Sequence, residues 1–154
     1  MAIEPRDTDP GEVDMDSYER PLPKPDNDSE VYWEGVRRHE LLLQQCSDCE
    51  RFRFYPRSVC PHCFSDKFQW RPSTGRGRVF SFTIIHRAPT PAFRDQVPYV
   101  LALIDLDEGV RMMSNVVDCE PGVVRIGMPV EVIFADVTPE ITLPKFRPSG
   151  ADAD

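Results

Sequence analysis

The residues with the clearest chemistry are four cysteines: Cys46-Ser47-Asp48-Cys49, then ten residues, then Cys60-Pro61-His62-Cys63. Two Cys-x-x-Cys pairs facing each other across a short loop place four thiolates tetrahedrally around one zinc ion, the full ligand set of a closed structural site. The loop is shorter than the roughly 15 to 20 residues of many such sites, which suits a compact ribbon of two small knuckles. Four sulfurs leave no position open for water or substrate, so the metal expected here is structural. Two disulfides are the alternative. The opening Met1-Ala2-Ile3-Glu4-Pro5 is acidic where an export signal is basic and then apolar, so a reduced, cytoplasmic chain is expected. His62, between two ligands, is expected on the surface, and His39 in a loop. Outside the quartet, Cys119 and His86 form a conceivable nucleophile and base. Cys119 follows a strand and reads instead as a small buried hydrophobe. Asp105, Asp107 and Glu108 read as turn acids. No catalytic residue is assigned.

Charge is unevenly spread over the 154 residues, whose net charge is -8. Residues 1–30 hold ten acidic and three basic residues, whereas 51–94 hold nine basic residues against Asp66 alone. A basic segment between acidic ends favours anionic partners, above all phosphates. No apolar run is long enough to span a bilayer.

The elements that position these residues follow from periodicity. Residues 1–26 are acidic and proline-containing and are expected to form a disordered or extended arm. Asn27 followed by Glu30 resembles a capping box opening a short helix over about 28–38, with Gly35 weakening it. That helix sets Tyr32 and Trp33 on one surface, either as a docking site for a partner or against the chain's own ribbon. Leu41-Leu42-Leu43 leads into the first knuckle as a strand. Residues 50–57 alternate Arg51, Arg53 and Tyr55 with Phe52 and Phe54, a strand with a basic and an aromatic face.

After the turn 73–78 the chain becomes strongly β. The pattern predicts a strand over 79–87, with Phe80, Phe82, Ile84 and His86 on one side. Further strands are expected at 99–106, 110–117, 130–137 and 141–146, the last an edge strand because of Pro144. One helical turn fits 123–127. Five strands with a short insert between the third and fourth suit an OB-type Greek-key barrel. The expected fold is mainly β: a disordered arm (1–26), a helix plus zinc ribbon (27–72), the barrel (73–147) and a flexible tail (148–154).

The order of parts, "LLLQQCSDC…YPRSVCPHC", "TGRGRVFSFTIIHR", "PYVLALIDLDEGVR", "IGMPVEVIF" and "LPKFRP", resembles the family of rubredoxin-like zinc-ribbon plus OB-fold proteins associated with acyl-CoA metabolism. The resemblance covers roughly 28–148. It implies an accessory subunit that accompanies a thiolase-superfamily enzyme, with the catalytic cysteine on the large subunit and the small one shaping or bridging the CoA site. The glycine often found after a knuckle pair is replaced here by Glu50 and Phe64.

The leading expectation is therefore a non-catalytic subunit of a thiolase-type complex that helps to hold an acyl-CoA. Arg78, Arg87 and Arg94 are the candidates for CoA phosphates, Phe80 and Phe82 for stacking on the adenine, and Tyr32 and Trp33 for the partner interface. The alternative is a nucleic-acid-binding ribbon and OB module. Net negative charge and only three lysines weigh against it.

Overall fold

The computed structural model describes residues 19–150, so most of the expected N-terminal arm and the last four residues of the tail lie outside the described residues. Helix α1 (Glu30–Arg37) begins from a reciprocal pair one register earlier than Asn27 and Glu30. The Ser29 N–H and Oγ both donate to Asp26 Oδ1, at 2.9 and 2.7 Å, and the Asp26 N–H donates back to Ser29 Oγ at 3.0 Å. Those bonds hold the Asp26 carboxyl below its ordinary pKa.

The helix ends in a Schellman arrangement, with His39 N–H on Val36 O at 2.9 Å and Glu40 N–H on Gly35 O at 2.8 Å. His39 sits at the left-handed position, φ 62°, that glycine usually fills. It does more than a loop residue: its ring stacks on Phe134 at 5.2 Å, and Nε2 lies 3.0 Å from Asp136 Oδ1, tying the helix end to the barrel. Gly35 is likewise not a mere weakness. A Cβ there would stand 2.7 Å from Leu42 Cδ1, so glycine lets the next strand pass close to the helix.

Three strands form the ribbon sheet in the order β2-β1-β3: β1 (Leu42–Cys46), β2 (Phe52–Arg53) and β3 (Phe68–Pro72), all antiparallel. The alternation over 50–57 yields only two strand residues, and its basic face does not exist as such. Arg53 is 3% exposed. Its Nε donates to Gln44 Oε1 at 2.7 Å, its Nη2 to Arg57 O at 2.8 Å, and its guanidinium lies over the Phe68 ring. Tyr32, 1% exposed, meets Phe54 and Tyr55 edge-on at 5.6 and 5.8 Å.

The remaining strands close into a barrel in the order β4-β5-β6-β8-β7: β4 (Arg76–Ile85), β5 (Tyr99–Leu106), β6 (Arg111–Val116), β7 (Pro129–Asp136) and β8 (Thr142–Pro148). All pairs are antiparallel except β6 with β8, as in an OB-type Greek key. Val79, Val100, Ile104, Met112, Val130 and Phe146 fill the interior.

Two expectations about strands and one about a helical turn are corrected. A bulge between Val79 and Ser81 makes Phe80 the extra residue, so Phe80 faces outward while Phe82 packs against the core. Its ring is covered by Arg111, whose guanidinium carbon is 3.3 Å from the ring centroid and which is itself paired with Asp105. Second, β8 is no edge strand, because it lies between β6 and β7. Its pairing with β6 is limited to Val116 opposite Phe146, and at Pro144 the Ser114 hydroxyl bonds the carbonyl at 2.8 Å instead. Third, the helical turn falls at Pro121–Val123 as a 3-10 turn, earlier than 123–127.

Candidate metal centre and its surroundings

Each knuckle is built by a tight turn that points backbone N–H groups at sulfur. The Glu50 N–H returns to Cys46 O and the Phe64 N–H to Cys60 O, both at 3.0 Å. Glu50 and Phe64 have φ of 61° and 63°, the left-handed conformation that glycine adopts without penalty. Phe64 is also 81% exposed. Around the sulfurs, the His62 N–H reaches Cys60 Sγ at 3.4 Å.

The donor set fits zinc. All four sulfurs lie within 4.8 Å of one another, with Cys46 to Cys63 at 3.5 Å and Cys49 to Cys60 at 3.7 Å. Zinc–sulfur bonds of about 2.3 Å in a tetrahedron require sulfurs about 3.8 Å apart, whereas a disulfide requires about 2.0 Å. The electrostatics agree. Burial raises the Cys60 thiol, but the His62 and Cys63 N–H groups outweigh it and bring it down to about 6. The Ser65 N–H lowers Cys63, but burial and the sulfurs of Cys46, Cys49 and Cys60 push it up to about 12. Four sulfurs this close resist full ionisation on their own, and a divalent cation removes the conflict. Cys46, Cys49, Cys60 and Cys63 would hold the ion, and its role would be to tie the two knuckles together.

The other candidates are scattered. His62 is exposed beside Arg51, 3.2 Å from it. No hydrogen bond joins Cys119 to His86, and burial, with Asp118 and Glu120 nearby, raises the Cys119 thiol, the opposite of an activated nucleophile. Arg78 lies near the start of β4 and donates to Gly127 O at 3.0 Å, while Arg87 follows the end of that strand. The two therefore stand toward opposite ends of β4. Arg94 adjoins the 3-10 turn Pro91–Phe93 in the loop after Arg87. The structure therefore groups Arg87 and Arg94 at one end of the barrel and leaves Arg78 at the other. Together with the burial of Arg53, this divides the basic run 51–94 instead of gathering it on one face. Tyr32 is sealed inside the molecule and offers no partner surface, a correction to that expectation. Trp33 keeps an accessible edge and donates from Nε1 to the Tyr55 hydroxyl at 3.0 Å.

One feature escaped sequence reading: a half-open cavity of about 520 Å³ on the outer face of β6, β7 and β8, lined also by Phe93 and Gln96 of the loop and by Arg20 and Pro21. Its walls include Tyr99, Ile133, Ala135, Leu143 and Lys145. The whole lining comes from five separate stretches of chain, so no local motif announces it.

A zinc ribbon of four thiolates joined to a closed OB barrel defines the class. Two family models match the chain: the ChsH2 rubredoxin-like zinc ribbon domain over 33–69 and the ChsH2 C-terminal OB-fold domain over 70–135. A DUF35 domain-containing scaffold protein of Methanothermobacter thermautotrophicus is 37% identical over 70% of this chain and 82% of its own length. The chain belongs to this family of ChsH2-type, DUF35 zinc-ribbon and OB-fold proteins. It is also 38% identical, over 84% of its length, to a probable enoyl-CoA hydratase alpha subunit of Thermomonospora curvata, of which it spans only 40%. A benzoylsuccinyl-CoA thiolase subunit BbsA of Geobacter metallireducens is 30% identical over 46% of this chain and 46% of its own. Among solved structures, a chain of an Ltp2-ChsH2(DUF35) aldolase superposes with a TM-score of 0.75 at 38% identity, covering 83% of this chain and 99% of that one. Among the described residues, no helix is long and apolar enough to cross a membrane.

Proposed function

We propose that this chain is a non-catalytic, cytoplasmic accessory subunit of a thiolase-type complex that makes or breaks carbon–carbon bonds in acyl-CoA substrates. The observation that carries the reading is the likeness over nearly the whole of a chain from an Ltp2-ChsH2(DUF35) aldolase. The site chemistry supports it: the closed sulfur quartet leaves the metal no open position, and the one remaining thiol, Cys119, is not activated. The ribbon stiffens one lobe, the accessible edge of Trp33 lies on it, and a large subunit supplies the reacting groups. Arg87 and Arg94, both exposed at one end of the barrel, meet the CoA phosphates. Arg78, at the far end, contacts the partner or a more distant part of the ligand.

Calorimetric titration of CoA into the isolated chain and into the purified complex tests the ligand part. Binding to the complex is expected to weaken about tenfold in an Arg87→Ala, Arg94→Ala double variant, the loss of roughly 1.4 kcal/mol. The isolated chain is expected to catalyse neither thiolysis nor acyl-CoA hydrolysis. Turnover by the chain alone, abolished by Cys119→Ala, would overturn the non-catalytic reading.

A further inference from the structure

We infer that the cavity on the outer face of β6, β7 and β8 binds a small amphipathic carboxylate. Lys145 Nζ would take the carboxylate, and Tyr99, Ile133, Ala135 and Leu143 the apolar body. This inference rests on the cavity and is independent of the partner and CoA reading.

Lys145 is half-buried on a wall that is otherwise largely apolar. Its partner among the described residues is neutral: Nζ donates to Asn115 Oδ1 at 2.5 Å. The Asn115 amide is oriented for this by its own bond, Nδ2 to Val100 O at 2.9 Å, which turns Oδ1 toward the amine. Among the described residues, ion pairs join Arg38 to Glu40, His39 to Asp136, Arg111 to Asp105 and Arg147 to Glu131, and no carboxylate of the described residues pairs with Lys145. Burial, and then the positive charge of Arg20, lower the Lys145 amine from its ordinary value. A partly desolvated ammonium without a counter-ion is costly to hold, and an entering anion offsets that cost.

Charge and size narrow the ligand. Lys145 presents a single ammonium whose hydrogen-bond partner is a neutral amide oxygen, and one negative charge matches it. The volume of about 520 Å³ falls in the range of roughly 300 to 1,000 Å³ typical of small-molecule sites. A cavity of about 150 Å³ already holds benzene, so a medium-length chain or a ring with a side chain fits here.

The test uses the full-length, zinc-loaded chain with octanoate, 1-octanol and acetate as probes, followed by amide chemical shifts and calorimetry. Octanoate is expected to bind saturably at one per chain, shifting residues of β6 to β8. The uncharged octanol and the bodiless acetate should each bind at least about tenfold more weakly. Lys145→Met should lower octanoate affinity about tenfold, with Lys145→Arg retaining most of it. Amide spectra establish that each variant is folded. Absence of saturable octanoate binding to the folded wild-type chain would overturn the inference. So would equal affinity for octanoate and octanol, or no change in Lys145→Met.

Discussion

At the scale of single residues, the metal site carries two positions that work against its own backbone. Glu50 and Phe64 complete the knuckle turns in the left-handed region, which costs a residue with a Cβ about 1 to 2 kcal/mol. Glycine relieves that cost but adds about 0.5 to 1 kcal/mol of chain entropy on folding. Phe64→Gly should therefore stabilise the zinc-loaded ribbon by about 0.5 to 1 kcal/mol in denaturant unfolding, since an 81% exposed ring loses little packing. A destabilised variant would mean that the Phe64 ring contributes to the fold. The quartet was legible in the sequence because both ligand pairs are local and their types are restrictive. Arg53 was not. Its burial depends on Gln44 and Phe68, which lie on other strands and are brought to it only by the sheet.

At the scale of elements, close approach between strands decides what the barrel tolerates. A Cβ on Gly77 would lie 2.4 Å from the backbone oxygen of Asp105, within the β4–β5 ladder, where nothing flexible can yield. Gly77→Ala should cost about 2 to 3 kcal/mol, read as a shifted denaturation midpoint with an unchanged slope. A cost below about 0.5 kcal/mol would show that the two strands part easily. Strand positions were readable from alternation, and β5 falls on the expected residues 99–106. The facing of Phe80 was not readable. A bulge adds one residue without altering the apolar pattern, so the period-2 rule places Phe80 and Phe82 together where the ladder separates them. Pro144 misled for a related reason. It excludes a backbone donor, but Ser114 meets the strand at that point through its side chain, and the barrel still closes.

At the scale of the molecule, the ribbon is expected to depend on its metal and the barrel to hold without it. Trp33 and Trp70, the chain's two tryptophans, both lie in α1 and the ribbon sheet, so their fluorescence reports that lobe alone. Chelation of zinc should red-shift the emission while the far-ultraviolet β signal of the barrel persists. An unshifted spectrum after complete zinc removal would contradict this.

Acid acts in the same direction. Cys60 ionises at about 6, below the ordinary thiol, so its contribution is complete above the ordinary thiol range and is lost as pH falls through that value. Zinc retention should therefore decline between about pH 7 and about pH 5, as protons compete for the sulfurs.

Whether this chain works as part of another enzyme's assembly is decided by native purification. The tagged protein is isolated from its own host in mild salt, and its companions are identified by mass spectrometry and by the mass of the native complex. A thiolase-like polypeptide is expected in fixed stoichiometry, released when zinc is chelated. Recovery of the folded, zinc-loaded 17.6 kDa chain by itself would contradict it.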